Sequence, residues 1–393
     1  MTPAARIAAA ITILDSYVAG QPAEQALTNW ARASRYAGSK DRAAVRDHVY
    51  DALRCRRSFG ARGGSDTGRG LMIGMLLDAK QDPAAIFTGL AYGPGELTPD
   101  EIKLMSDSDL DSNLDVNVKL DVPQWLAPVL RDDLGVHYET VMELLRHRAP
   151  LFLRVNRLLS TRDQAVAALA QDQIVVVPHP LADTALQVLE NPRRVRMSTA
   201  YAQGLVEIQD AASQHIIQAL PLAAGDNVLD YCAGGGGKSL ALAARGVASV
   251  TAHDAQVSRM ADLPTRAKRA GAHIDICTQT SALKPSGFDL VLCDVPCSGS
   301  GAWRRTPDAK WSLTADRLRT LNETQSEILK MASDLVAPKG RLAYATCSIL
   351  SCENGDRVNL FLAENPGWQL EQSCQLTPAD GGDGFFASVL TRV

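Results

Sequence analysis

The order of elements after Gly225 constrains this chain more than any other feature. Short apolar runs alternate there with helical stretches. Strands are expected at 227–230, 247–252, 288–294 and 341–346, with helices at 239–245 and 315–335. A last strand is expected at 385–390, behind the glycine-rich turn 380–384. Strands joined through helices pair in parallel, so the pattern predicts an α/β fold with a doubly wound sheet. Such sheets bind ligands in the crevice outside the carboxyl ends of their strands. Two stretches leave strands in that position. One is the loop 230–239; the other is Asp294-Val295-Pro296-Cys297-Ser298-Gly299-Ser300-Gly301.

A chain of 393 residues has room for two or three domains. Residues 1–148 read as helical. Ile7, Ile11, Leu14 and Val18 share one helix face, and Val45, Val49 and Leu53 repeat that spacing behind Ser39, the expected N-cap. From Arg32 to Arg69, ten Lys or Arg stand against four Asp; from Glu96 to Asp121, eight acids stand against two Lys. The basic block predicts a phosphate-binding surface, with a solvated helix face as the plainer alternative. The acidic block follows Gly93-Pro94-Gly95 and predicts an exposed, loop-rich connector over 93–121, apart from the basic residues. Helix is expected again over 123–148. Residues 149–222 change character. Strands at 151–156, 174–177 and 186–189, with a helix capped by Thr161, suggest a small α+β module carrying a basic cluster at Arg193, Arg194 and Arg196. Residues 223–393 form the α/β domain.

The net charge of −4 excludes a uniformly basic nucleic-acid coat. No apolar run reaches the ~18 residues of a membrane span, and no signal-peptide pattern opens the chain. Eight cysteines dispersed through this length are expected as reduced thiols in a cytoplasm.

The loop Asp230-Tyr231-Cys232-Ala233-Gly234-Gly235-Gly236-Gly237-Lys238-Ser239 can bring backbone N–H groups close to a ligand. It is not a P-loop, which needs glycine where Cys232 stands, nor an in-register G-x-G-x-x-G turn. With Asp254, an acid at the end of the second strand that can accept from ribose hydroxyls, it predicts a nucleoside-cofactor site. A bare tight turn is the plainer alternative. Cys297 and Cys347 each follow a strand end among small polar residues, where a thiol can be accessible with a lowered pKa. Cys277 and Cys293 read as core cysteines. A zinc site built from Cys293, Cys297, Cys347 and Cys352 is not expected, because the spacings are loose and Cys293 faces away from the Cys297 turn. A Cys297–Cys347 disulfide is not expected in a reducing compartment. A nucleophilic thiol beside a nucleoside cofactor suggests methylation of a pyrimidine at carbon 5. Thiolate addition at carbon 6 makes carbon 5 nucleophilic, Asp294 near ring nitrogen 3 favours that addition, and a second thiol assists proton removal or release.

The same residues carry a family resemblance over nearly the whole chain. Asp294 to Gly301 resembles the Pro-Cys motif of the Sun-family (Fmu-type) RNA cytosine-5 methyltransferases, and Arg304-Arg305-Thr306-Pro307-Asp308-Ala309-Lys310-Trp311 its usual sequel. Tyr344-Ala345-Thr346-Cys347-Ser348 with Glu353-Asn354 resembles the Thr-Cys motif. Arg154-Val155-Asn156, Gln209-Asp210 and Asp383-Gly384-Phe385-Phe386 are also similar. The helices with Asp41-Arg42 and the run to Leu53-Arg54 resemble the NusB-like domain of the bacterial rRNA branch. The resemblance implies a Rossmann-like class I methyltransferase domain, preceded by a small α+β module and an all-α NusB-like domain. It implies S-adenosylmethionine as cofactor, bound by Cys232, Ala233, Gly234, Gly235, Gly236, Gly237, Lys238, Asp254 and Asp294. Cys347 would be the nucleophile, Cys297 the release thiol, and Asp294 a catalytic partner. The implied substrate is RNA, specifically small-subunit rRNA, acted on by a cytoplasmic monomer without metal. The Pro-Cys motif alone would also suit DNA cytosine methyltransferases, where that thiol attacks. A tRNA cytosine-5 methyltransferase and a non-catalytic RNA-binding assembly factor are the alternatives. Two departures stand out. Gly234 and Gly235 replace the family's common Ala and Pro, which predicts a looser loop. The acid usual after the third strand has no counterpart in Thr278-Gln279-Thr280-Ser281, with Asp275 a few residues early, which predicts weaker cofactor binding.

Overall fold

The computed structural model describes residues 1–107 and 112–393. They form two packed units: Met1–Arg148 with Trp303–Ser312, and Ala149–Ala302 with Leu313–Val393.

The first unit is helical. Helices Pro3–Val18, Ala23–Ala33, Ser39–Arg54, Arg56–Gly63 and Gly68–Asp78 enclose a core that includes Ile13, Leu14, Val45, Val49, Leu53, Leu71 and Met72. The first helix is capped by Thr2, whose side chain accepts from Ala5 N–H. Its buried stripe runs through Ile7, Ala10, Ile13 and Leu14, while Val18, expected on the stripe, ends the helix and is exposed. Gly38, not Ser39, occupies the N-cap of Ser39–Arg54. The helix expected over 123–148 is split into Ala127–Leu134 and Tyr138–Leu145 at Gly135.

The end of Ser39–Arg54 explains why Trp303–Ser312 belongs to this unit. The last carbonyls of a helix have no partner within it. Here Trp311 Nε1 donates to Leu53 O at 2.6 Å, and Lys310 Nζ donates to Arg54 O at 3.1 Å. Arg54 returns a bond from Nε to Arg304 O at 2.7 Å. Lys310 is buried, and that burial brings its pKa down to about 8. Trp303 is fully buried in the same segment. Trp303→Ala is expected to cost about 3–5 kcal/mol, measurable as a lowered denaturation midpoint.

The charge blocks do not behave as the sequence suggested. Most of the basic block is consumed inside the unit. Arg54 is buried, Arg46 pairs with Glu24, Arg62 with Asp78, and Arg57 donates to Val122 O and Gln124. Arg69 binds both oxygens of Glu101, which lies in the acidic stretch. Asp121, expected in an exposed connector, is fully buried; it accepts from Ser58 N–H at 2.9 Å and Arg146 Nε at 2.8 Å. Acids and bases distant in sequence are thus neighbours in space, and the basic block does not stand apart from acids as the counts along the chain suggested. Arg32, Arg35 and Lys40 stay exposed around one turn. Asp109 and Asp111 lie outside the described residues.

The second unit holds two sheets. In the smaller, strands β1 (Leu151–Val155), β2 (Val175–Pro178), β3 (Ala185–Glu190) and β4 (Val206–Ile208) lie in the order β2-β3-β1-β4, all antiparallel. Helix Arg162–Gln171 opens in a capping box formed by Thr161 and Gln164. The larger sheet contains β5 (Asn227–Asp230), β6 (Ser249–His253), β7 (Asp275–Cys277), β8 (Phe288–Asp294), β9 (Val336–Thr346), β10 (Trp368–Leu376) and β11 (Phe385–Arg392). Their order is β10-β11-β9-β8-β5-β6-β7. β5 to β9 pair in parallel, while β11 and β10 are antiparallel additions. Strand order reverses between β5 and β8, the switch point where ligands bind. β8 is buried on both faces, with Val291 and Cys293 in one cluster and Leu290 and Leu292 in the other, as its unbroken apolar run requires. Among the described residues, no helix is long and apolar enough to cross a membrane.

Candidate active site

β8 and β9 are parallel neighbours, with Asp294 opposite Ala345. The chain therefore leaves both strands at the same edge, and the two thiols that follow converge. Cys297 Sγ and Cys347 Sγ are 3.5 Å apart. Gly301 N–H donates to Cys347 O at 3.0 Å, and Gly384 N–H donates to Gly301 O at 2.9 Å. A Cβ at Gly301 would lie 2.2 Å from Gly384 O, so this junction admits only glycine. The lowered thiol pKa expected at Cys297 is not found. The hydrogen bond to Cys347, burial, and the neighbouring Cys347 and Glu353 hold it well above the ordinary value. A hydrogen bond from the Gly299 backbone acts in the opposite direction but does not offset them. Cys293 is fully buried within β8, and all eight cysteines are free.

Asp294, at the tip of β8, is bound by Lys238 Nζ at 2.6 Å. Burial opposes the lysine's charge, but Asp294 more than offsets it and raises the Lys238 pKa. Lys238 also lies 4.7 Å from the centroid of the Phe385 ring. The pair links the glycine-rich loop after β5 to the loop that follows β8.

The loop between β5 and helix Gly237–Ala243 passes through left-handed backbone at Gly234 and Gly236. At Gly236 a Cβ would lie 2.2 Å from the Leu263 side chain. Cys232 and Gly237 are half-buried, Ala233, Gly234 and Gly236 are buried, and Gly235 is exposed. The loop is tied from outside. Asp254 is buried at the end of β6 and accepts from Gly234 N–H and Gln256 N–H, both at 2.9 Å, with Arg259 3.2 Å away. Arg266 donates to Gly235 O. Arg154, from the small sheet, donates to Gly237 O at 2.7 Å and Gln209 at 2.6 Å. Beneath the loop, Asp230 is fully buried. One carboxylate oxygen accepts from Ser239 Oγ at 2.6 Å and the other has no partner. Burial pushes its pKa up to about 7, against the Ser239 hydrogen bond. Asp230, Asp254 and Asp294 thus gather three carboxylates around the loop, the first two buried and Asp294 half-buried.

Asp275 does not take the place of the missing third-strand acid. It opens β7 opposite Thr251, at the amino end of the strand, and pairs with His273 at 3.3 Å. Thr278, Gln279 and Thr280, past the carboxyl end, are exposed and uncharged. Three residues at the site had been given no individual role in the sequence: Arg154, Gln209 and Glu353. Their motif positions were the available signal, but which bonds they make depends on long-range packing.

Residues 217–390 match the family described as 16S rRNA methyltransferase RsmB/F. Residues 122–196 match the ferredoxin-like domain described as Methyltr_RsmF/B-like, which starts before the first strand of the small sheet. The chain is 34% identical over 283 residues to ribosomal RNA small subunit methyltransferase B of Vibrio cholerae, covering 69% of this chain and 65% of that protein. For the protein of the same name from Salmonella arizonae the values are 34% over 286 residues, 69% and 66%. The match thus spans just under two thirds of the length of these relatives. Among solved structures, PH0851 is similar with a TM-score of 0.76 at 22% identity, covering 99% of both chains.

Proposed function

We propose that this chain, a member of the RsmB/F methyltransferase family by its matches over residues 122–196 and 217–390, methylates carbon 5 of a cytosine in small-subunit rRNA with S-adenosylmethionine. The observation that carries this reading is the thiol pair, 3.5 Å apart, beside the Lys238–Asp294 pair at the switch point of the sheet.

The residues present fit the cofactor. Asp254 and the unpartnered oxygen of Asp230 supply acceptors, and the left-handed glycines leave backbone open to close approach. Cys232 to Lys238, Asp254 and Asp294 would hold it, and when bound it supplies an electrophilic methyl group. Cys347 thiolate adds to carbon 6 of the cytosine, which makes carbon 5 the nucleophile. Asp294, held by Lys238, faces ring nitrogen 3 and favours that addition. After methylation a base takes the carbon-5 proton; the C–H electrons restore the ring double bond and expel the Cys347 sulfur. Cys297, kept as a neutral thiol, does not compete as nucleophile and hydrogen-bonds to that departing sulfur. The target base has to leave any stack to reach this edge.

Asp254→Ala removes a buried acceptor and is expected to weaken S-adenosylmethionine binding by about 1.5–3 kcal/mol, roughly 10- to 150-fold by calorimetry. Bisulfite sequencing of RNA from cells with and without the protein tests the substrate. One small-subunit rRNA cytosine should lose its protection when the protein is absent. Loss confined to tRNA would replace rRNA by tRNA in this reading, and no loss anywhere would favour a non-catalytic factor.

A further inference from the structure

The two thiols sit on separate loops, and their spacing needs a common anchor. Glu353 provides one. It is fully buried, and its carboxylate bonds to the residue after each cysteine. Ser298, after Cys297, donates its N–H to Oε1 at 2.7 Å and its hydroxyl to Oε2. Ser348, after Cys347, donates its hydroxyl to Oε2 at 2.5 Å. Gln325, on the long helix Ala315–Ser333, donates to Oε1 at 3.1 Å and to Pro296 O, just before Cys297, at 3.0 Å. Glu353 is fixed in turn by Tyr344 OH, which donates to its carbonyl at 2.5 Å. Asn354 beside it donates to Ser348 O at 3.0 Å and accepts from Thr346 Oγ1 at 2.6 Å.

Burying a carboxylate is costly unless hydrogen bonds offset it. Four donors converge on this one, and they come from both thiol loops and the helix between them in sequence. A glutamine would keep one oxygen for Ser298 N–H and Gln325 but would present an NH2 group where both serine hydroxyls now donate, so those hydroxyls must turn round to accept and the charge is lost.

We propose that Glu353 is the positioning residue that sets the Cys297–Cys347 spacing, and that the release step depends on it. This rests on the thiol roles proposed above. The carboxylate also has an electrostatic effect, since it is among the groups that keep Cys297 protonated.

The test has one arm without RNA and one with it. In a Cys347→Ala background, alkylation of Cys297 by iodoacetamide is followed against pH with and without Glu353→Gln. The midpoint is expected to fall when the charge is removed. In the otherwise native chain, Glu353→Gln is assayed on small-subunit rRNA transcripts with S-adenosylmethionine. Turnover should drop at least about tenfold while a protein–RNA adduct persists through denaturation, with cofactor affinity preserved. Ser348→Ala, which removes one tether and leaves the charge, should slow release without moving the alkylation midpoint. It also serves if Glu353→Gln does not fold. An unchanged alkylation profile, turnover within about twofold of the native chain, or equal loss of attack and release overturns the proposal. Failure of the substrate reading would show separately, as native protein inactive on rRNA while the alkylation midpoint still shifts.

Discussion

Cys347→Ala should abolish methyl transfer, by at least about 10³-fold, and should form no covalent adduct with RNA. Carbon 5 of cytosine is a poor nucleophile until a group adds at carbon 6. The Cys347 side chain sits at the edge where β9 ends, beside the Lys238–Asp294 pair. Alanine removes the attacking sulfur and leaves the backbone contacts intact, since Cys347 O still accepts from Gly301 N–H. S-adenosylmethionine binding and the melting midpoint should be near native, which separates loss of chemistry from loss of fold. The measurement is transfer of labelled methyl to rRNA, paired with a denaturing gel for the adduct. Retained adduct in this variant would reverse the two thiol roles.

Cys297→Ala should behave oppositely and accumulate a covalent protein–RNA complex that survives denaturation. The attacking thiol is present, so addition and methylation proceed. What is lost is the S–H that lies 3.5 Å from the Cys347 sulfur. Without it the sulfur departs poorly, turnover falls, and the adduct becomes the dominant species. Overall turnover should drop by about 10²-fold or more, while a single round of methyl transfer stays within about an order of magnitude of native. Rapid release with no adduct would show that Cys297 plays no part in release. The neutral state of Cys297 bears on this assignment. A protonated Cys297 lies 3.5 Å from the Cys347 sulfur and can donate a hydrogen bond to it as it leaves.

The parallel sheet was legible because β5, β6, β8 and β9 are buried strands, and burial on two faces writes itself as continuous apolar runs. β7, β10 and helix Gly355–Glu364 were not. β7 is three residues long, and β10 is an edge strand whose side chains are mostly exposed, so neither has the apolar period that marks a strand. The charge blocks misled for a related reason. Counting charges along the chain cannot see that Arg69 meets Glu101 or that Arg146 meets a buried Asp121. Local composition describes a surface only where the residues stay on it.

Sequence alone determined the candidate chemistry: an acid and a thiol behind one strand, a second thiol behind another, and a glycine loop with Asp254. Those are local facts, carried by residue type and by position after an apolar run. Tertiary structure decided the rest. Parallel pairing of β8 with β9 places Cys297 against Cys347 and makes a pair from residues fifty positions apart. Close packing also gives the thiol an environment that inverts its expected pKa, and it brings Ser298, Ser348 and Gln325 onto one buried carboxylate. Hydrogen bonds and pKa shifts depend on distances of a few ångströms between remote segments, and only the folded chain sets them.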